Sequence, residues 1–401
     1  MCWKVVKQNM EFKRLGDIAT FINGNAFKPE DWGNKGLPII RIQNLTNSSN
    51  EINYFEGEIA EKYIVNKGDI LIAWSASLGV YEWEGETALL NQHIFKVVFD
   101  KIEINKSYFK YMVSIALNNA LKYLHGSTMK HLTKKYFDNI EIPVPSLAQQ
   151  SLISEVLNSS VSLINMRQSQ ISALEELAQS VFLEMFGDNI TNKKNYTMIK
   201  IKDVAEKEKN SIKAGPFGSS LKKEFYVSKG YKIYGQEQVI RDDLSYGDYY
   251  IDEKKYNELI SCSVKEGDVL ISLVGTFGKV SIVPKEFELG IINPRLMKVT
   301  LDKNKVNPYF FKFLMTMPTT VQQISNSAHG GTMDIVNTKI LKDFSIIVPA
   351  IREQEMFVGY LNQINDKKEQ LQKSLVQMEN LYNSILQRAF KGKLFNNKLY
   401  N

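Results

Sequence analysis

"HGSTM" occupies positions 125–129 and "HGGTM" positions 329–333, so nearly the same five letters recur 204 residues apart. Agreement over so short a stretch is cheap by chance, but the flanks agree at the same offset. Downstream, "IPVP" ends on Pro145 and "IIVP" on Pro349, again 204 apart. Each proline leads into a glutamine-bearing stretch, Gln149-Gln150 in one copy and Arg352-Glu353-Gln354 in the other, and each stretch closes on an aromatic, Phe186 in "MFGD" and Phe390 in "AFKGK". Upstream, "VNKGDILIAWSASLGV" (65–80) matches "VKEGDVLISLVGTFGKV" (264–280), and "LLNQHIFKVVFDK" (89–101) matches "IINPRLMKVTLDK" (291–303). There the offset slips to about 199–202, so loops change length while the frame is kept. The chain is an internal duplication, and that is read before anything else.

Composition bounds the rest. A chain of 401 residues, 44% hydrophobic and 11% aromatic, has material for two or three folded domains with real cores. The net charge of +6 is mildly basic, and alone it does not mark a nucleic-acid binder. Its distribution says more: 147–185 carries Glu155, Glu175, Glu176 and Glu184 against Arg167 alone, so the positive excess lies in the globular parts. Cys2 and Cys262, the two cysteines, make neither a disulfide framework nor a metal cluster. No signal-peptide core and no run of about 18 apolar residues is present. The expectation is a soluble cytoplasmic protein without a membrane segment.

From Ile153 the apolar residues fall into a heptad seam: Ile153, Val156, Leu157, Ile164, Ile171, Leu174, Val181 and Met185. The second copy gives Phe357, Leu361, Ile364, Leu371, Leu375, Met378, Tyr382, Ile385 and Ala389, broken only by Gly359 near its start. Each stripe is narrow and about 33 residues long, hence about 50 Å as helix, longer than a small domain is wide. Between them, roughly 12–146 and 198–350 alternate short strand-like runs such as "DILIAW" and "VLISLV" with helical stretches such as "SYFKYMVSIALNNALKYL". The fold class expected is α+β: two homologous mixed α/β domains joined by two long helices. Their seams bury each other best when antiparallel, giving a pseudo-twofold dumbbell. The boundaries expected are 1–146, 147–190, 191–350 and 351–401, the last with a C-terminal tail.

Catalytic chemistry is thin. His93, His125, His131 and His329 lack companions at metal-ligand spacing. There is neither a Gly-x-Ser-x-Gly elbow nor a P-loop. "DDLSYGDYYIDEKK" sets Asp243 near Glu253-Lys254-Lys255 in superficial imitation of a nuclease, but it reads as a charged loop with no counterpart in the first half. The amino-methyltransferase pattern Asn-Pro-Pro-aromatic is missing, since Asn293-Pro294-Arg295 and Asn307-Pro308-Tyr309 lack its second proline or its setting. No metal and no cofactor is expected.

Recognition fits the polar residues better. "FINGNAFK" (21–28) and "IKAGPFGSSLKK" (212–223) bear glycines that let backbone approach a phosphate, with Asn25, Lys28, Lys213, Ser219, Lys222 and Lys223 beside them. "IIRIQNL" and "KIYGQEQV" set Arg41, Gln43 and Asn44 against Tyr234, Gln236 and Gln238, read as an amide-rich strand in each copy. Such side chains contact base edges bidentately, and a merely exposed strand is the other open reading. "HGSTM" and "HGGTM" resemble helix starts with a hydroxyl cap, Thr128 or Thr332. In the first copy Lys130, His131 and Lys134 add charge for a phosphate; a plain cap is equally open. Ser75 and Ser77, with Thr276, Lys279 and Arg295 in the second copy, complete the candidate DNA-contacting set.

Taken together, the two "GD(I/V)LI" strands, "NQHIFKV" with "NPRLMKV", the paired "HG(S/G)TM", "IPVPSLAQQ" with "IVPAIREQ" and the two heptad helices resemble the specificity subunit of Type I restriction-modification systems, over nearly the whole chain. The resemblance implies two target recognition domains, each reading one half of a split, asymmetric sequence in double-stranded DNA. The helices would be ruler and platform for two methyltransferase subunits, joined by restriction subunits. It also implies a subunit without catalytic residues that binds no methyl donor. "AQQ" departs from the usual Glu-Gln, which "REQ" keeps, and puts one helix-start contact in doubt. The readings set against this are a self-sufficient nuclease or methyltransferase, a coiled-coil scaffold with protein-binding ends, and the specificity subunit of a methylase-only system.

Overall fold

The structure, a computed structural model, describes residues 11–49, 51–75, 77–124, 134–273, 275, 277–328 and 338–394. Both "HG(S/G)TM" stretches, with Thr128, Lys130, His131 and Thr332, and also Thr276, lie outside the described residues. The chain divides into two compact units, Met1–Gln168 with Lys373–Asn401, and Ser169–Gln372.

In the first unit, Thr20–Asn23, Ile94–Val98, Ile70–Ala73 and Gly79–Glu82 form an antiparallel sheet in that order. A second sheet orders Asn53–Phe55, Leu37–Ile40, Ala88–Leu90 and Ile64–Val65, its central pair parallel. The second unit repeats the first sheet with Ile212–Ala214, Leu296–Val299, Val269–Ser272 and Val280–Ile282. Its other sheet orders Tyr226–Val227, Tyr250–Ile251, Tyr231–Tyr234 and Gly290–Ile292, again with one parallel pair. The strand Ile64–Val65 is reduced there to a single bridge between Ser263 and Ile291. Phe12–Arg14 pairs with Glu141–Pro143, and Met198–Lys200 with Ser345–Ile347.

The "GD(I/V)LI" strands sit between two cores. Ile70 and Ile72 join Tyr108, Phe109 and Met112 of the helix Lys106–Leu124, whereas Leu71 joins Ile40, Val65 and Leu90. Val269 and Ile271 face one core of the second unit and Leu270 the other. Successive strand residues point to opposite faces, and because both faces are covered the run reads as continuously apolar rather than alternating.

The polar letters of these motifs join the two sheets. Lys96, on the first sheet, reaches Asp69 at 3.1 Å and donates to the Ile64 carbonyl of the second sheet at 2.6 Å. Lys298 repeats this with Asp268 at 3.5 Å and the Ser263 carbonyl at 2.5 Å. The aspartate also closes its own turn, accepting from the Asn66 N–H in one unit and the Lys265 N–H in the other, each Gly-Asp turn carrying a glycine at positive φ (Gly68 and Gly267). In the second unit Thr300 donates to Asp268, which is fully buried.

The two long helices run Leu147–Phe186 and Ile351–Phe390, 40 residues each, or about 60 Å. Within the second unit their portions are antiparallel: Phe182 lies edge-on to Phe357 at 5.2 Å, and one side of that contact Glu175 pairs with Lys368. In the first unit Ile153 and Leu157 share a core with Tyr382, Ile385, Ala389 and Phe390. Gly187, at φ 72, ends the first helix. Among the described residues no helix is long and apolar enough to cross a membrane.

Each helix start is tied to its unit by a buried glutamine. Gln150 accepts from the Asn105 N–H (2.9 Å) and donates to the Pro145 carbonyl (2.8 Å). Gln354 accepts from the Asn307 N–H (2.9 Å) and donates to the Pro349 and Lys305 carbonyls. The preceding residue caps the helix from its third position: Glu353 accepts from the Ala350 N–H at 3.1 Å and Gln149 from the Ser146 N–H at 3.3 Å. The departure in "AQQ" therefore keeps the helix-start contact, with an amide oxygen in place of a carboxylate.

Asp268→Ala leaves the Lys298 ammonium buried without its carboxylate, and is expected to destabilise the second unit by about 3–5 kcal/mol. The double variant Asp268→Ala with Lys298→Met should recover a large part of that. Denaturant unfolding followed by circular dichroism measures both, and equal losses in single and double variants would refute the pairing.

Candidate nucleic-acid interface

In both units one close backbone approach organises the polar residues. A Cβ on Gly24 would lie 2.0 Å from the Asn91 carbonyl oxygen, and one on Gly215 would lie 1.9 Å from that of Asn293. The surrounding bonds repeat: Gly24 N–H to the Ile94 carbonyl and Gly215 N–H to that of Leu296; Asn91 N–H to Ile40 and Asn293 N–H to Tyr234; Trp74 N–H to His93 and Leu273 N–H to Arg295. These bonds set the correspondence between units. Tyr234 matches Ile40 rather than Arg41, Gln238 matches Asn44, and Arg295 stands where the first unit has His93.

The expectation of an amide-rich strand is corrected. Strand ends at Ile40 and at Tyr234, and the amides that follow lie on short helices, Ile42–Leu45 and Gln236–Arg241. Asn44 accepts from the Arg41 N–H (3.0 Å) and Gln238 from the Gly235 N–H (3.0 Å), each satisfying a backbone donor at the helix start. Those bonds favour a helical turn over further extension. In the first copy the sequence hides the signal because Arg41, at the cap, is not one of the favoured Ser, Thr, Asp, Asn or Gly, whereas Gly235 in the second is a favoured cap.

The structure places the candidates as follows. In the second unit Gln236 donates to the Ser272 hydroxyl (2.8 Å) and accepts from the Arg295 guanidinium (3.3 Å), while Arg295 itself is exposed. Lys213 stands opposite Lys298 in the strand register, Ser219 is exposed on the turn Gly218–Ser220, and Lys222 lies 3.6 Å from Glu224. Lys279 is exposed, its carbonyl bonded to the Ser272 N–H. Tyr234 is wholly buried, its hydroxyl donating to the Glu288 carbonyl, and burial pushes that phenol well up from its ordinary range. Gln238 is buried too. Both side chains hold the inside of the unit.

In the first unit Arg41 stacks on Trp32 at 5.1 Å and donates, with Asn44, to the Glu51 carbonyl. Gln43 is half-buried beside them. Asn25 exchanges backbone bonds with Leu90 and Gln92. Lys28 is exposed and 3.6 Å from Glu30. Ser75 is buried, Ser77 exposed, and Lys134 pairs with Asp138 at 3.1 Å. The structure thus brings Gln236 and Arg295 together, and Arg41 with Asn44, and leaves Lys134 on a separate helix. Sequence reasoning left His93, Asn91, Asn293 and Ser272 out of the recognition set, although "LLNQH" and "IINPR" carried the aligned asparagines in plain view.

Another concavity of the second unit, about 570 Å³, is lined by Asp242, Asp243, Glu286 and Glu288 with Lys312. Lys232, buried against Glu288 at 2.6 Å, holds that carboxyl below its usual range. Its carboxylates repel a phosphate backbone, which sets it apart from the rim at Gly215, Asn293 and Arg295, where the charged group is a guanidinium. Among the described residues no group of three or more His, Cys, Asp or Glu is placed to hold a metal ion.

Gly215→Ala drives a methyl group into the Asn293 backbone, which cannot swing aside as a side chain could. A loss of about 3 kcal/mol or more is expected, read as a lowered denaturant midpoint; an unchanged midpoint would show that the approach is not tight.

Comparison with known proteins agrees with this repeated build. The family model described as "Type I restriction modification DNA specificity domain" matches twice, at residues 7–176 and 193–379. The EcoBI specificity subunit of Escherichia coli is 24% identical over 410 residues, covering 95% of this chain and 85% of that protein. The MjaVIII specificity subunit of Methanocaldococcus jannaschii is 23% identical over 413 residues, covering 97% and 94%. Among solved structures, a chain from work on complex assembly and conformational transition of the type I R-M system superposes with a TM-score of 0.61 at 16% identity, covering 96% of this chain and 99% of that one. The S subunit of a Type I system from M. genitalium gives 0.51 at 14% identity, covering 98% of both chains. With two matches that take in most of its length, each falling on one copy of the duplicated frame, the chain belongs to the Type I restriction-modification DNA specificity family.

Proposed function

We propose that each unit reads one half of a bipartite, asymmetric DNA sequence, through residues 1–146 in the first and 191–350 in the second, and that the helices 147–190 and 351–401 set the spacer between the halves. The observation that carries this reading is the shared backbone clamp with unlike polar groups upon it. Gly24–Asn91 and Gly215–Asn293 are built alike, but the first presents His93 and Arg41 and the second Arg295 and Gln236. One scaffold carrying two hydrogen-bonding patterns is what two different half-sites require. Lys28, Lys213, Lys222 and Lys279 supply phosphate contacts, Arg295 and Gln236 base-edge contacts, and the acidic cleft lies off the duplex.

In this reading the chain performs no chemistry itself. It takes no cofactor and works in the cytoplasm with two methyltransferase subunits docked through the helices and with restriction subunits joining that core. Half-sites about one helical turn apart are separated by about 34 Å, within the reach of a helix of 40 residues, which spans about 60 Å.

Exchanging residues 12–146 for the first domain of another family member should alter one half of the methylated sequence mapped in host DNA and leave the other half intact. A change in both halves, or in neither, would refute the modular reading. Arg295→Ala should cost about 1–3 kcal/mol and relax preference at one base pair of the second half-site, whereas Lys222→Ala should weaken all duplexes alike and flatten the salt dependence. Binding titrations at several salt concentrations on single-base variants separate the two, and a uniform loss from Arg295→Ala would remove it from base reading.

A further inference from the structure

Phe217 is 86% exposed, more than any other large apolar side chain among the described residues. A single exposed apolar side chain is ordinary on a protein surface; what sets this ring apart is that it is held out on a fixed support between lysines. The support here is fixed. Gly215 is pressed on the Asn293 backbone, Pro216 is buried, the Ser220 N–H closes a turn on the Phe217 carbonyl at 2.8 Å, and Leu221 anchors the far side in the core between the sheets. The turn leaves the same clamp that presents Asn293 and Arg295, and it carries Lys213 before the ring and Lys222 and Lys223 after it.

The first unit shows what the scaffold needs without the ring. The matched bonds put Ala26 at the position of Phe217, and the neighbouring Phe27 turns inward, 5% exposed, against Phe55 at 5.2 Å. The fold of the clamp therefore does not call for an aromatic at the tip.

We propose that Phe217 is a wedge which the second unit inserts between adjacent base pairs of its half-site, so that this unit reads how readily one base step unstacks as well as the base edges beside it. The inference rests on the DNA-reading function proposed above. An apolar side chain held among cations is the combination that enters and kinks a duplex: the cations take the phosphates and the ring takes the place of a stacking partner. The cost of unstacking is smallest at pyrimidine–purine steps, so the step contacted by Phe217 is expected to be of that kind, and no equivalent demand falls on the half-site read by the first unit.

The test uses the full chain in complex with its methyltransferase subunits and duplexes carrying the methylated sequence mapped in the host, with 2-aminopurine placed in turn along each half-site except at the methylated base and its immediate neighbours, which methyltransferases unstack themselves. For the wild-type chain a several-fold rise in fluorescence is expected at one step of the second half-site and at none of the first. Phe217→Ala should abolish that rise and weaken binding about tenfold, Phe217→Leu should keep part of both, and Ala26→Phe should create a new signal in the first half-site. If Phe217→Ala binds as the wild type does and no step brightens for either, the wedge is overturned while the DNA-reading function stands. If Phe217→Ala leaves DNA binding intact and loses the methyltransferase subunits instead, the ring belongs to a protein contact and the proposal fails. If the wild-type complex shows no salt-dependent preference for the mapped duplex, both readings fall together.

Discussion

A lysine ammonium paired with an aspartate, buried in the second half of the chain and half-buried in the first, ties together the two sheets of each unit. Lys96 with Asp69 and Lys298 with Asp268 reach from one sheet to a backbone carbonyl of the other. An ammonium in that position is tolerable only when fully partnered, so its presence fixes how the sheets face each other. The glycine clamp follows from that arrangement: the strand that carries the lysine begins a few residues beyond Asn91 or Asn293, and the carbonyl of that asparagine is where Gly24 or Gly215 must fit.

Much of this was legible in the letters. The long helices, their antiparallel pairing where the second unit shows it, and the mixed domains all follow from the repeat and the seam. "GD" and "FKV" or "MKV" were visible as aligned motifs, but nothing in their spacing says that the aspartate of one meets the lysine of the other, because that contact depends on which strands neighbour each other. The same limit explains the amides. "RIQN" and "GQEQ" look extended when scored by side-chain type, and only the bond from Asn44 back to Arg41, or from Gln238 to Gly235, turns them into helix.

Individual contacts were the least legible. Tyr234 and Gln238 are polar and adjacent to good candidates, yet they point inward and spend their hydrogen bonds on Glu288, Gly235 and Ile233. Burial of a single side chain is a property of the packed unit, and a duplicated alignment shifted by one residue was enough to set Tyr234 against Arg41 instead of Ile40. Bonds that repeat between the units repair that shift, since they are blind to side-chain identity.

The buried glutamines carry a consequence for how such chains are inherited. Gln150 and Gln354 lie just inside the helices, while Asn105 and Asn307, whose N–H groups they receive, lie inside the domains. A crossover between domain and helix severs the lock, one partner passing to each descendant. Because the two halves use the same asparagine and the same glutamine, each domain carries the partner that either helix start requires.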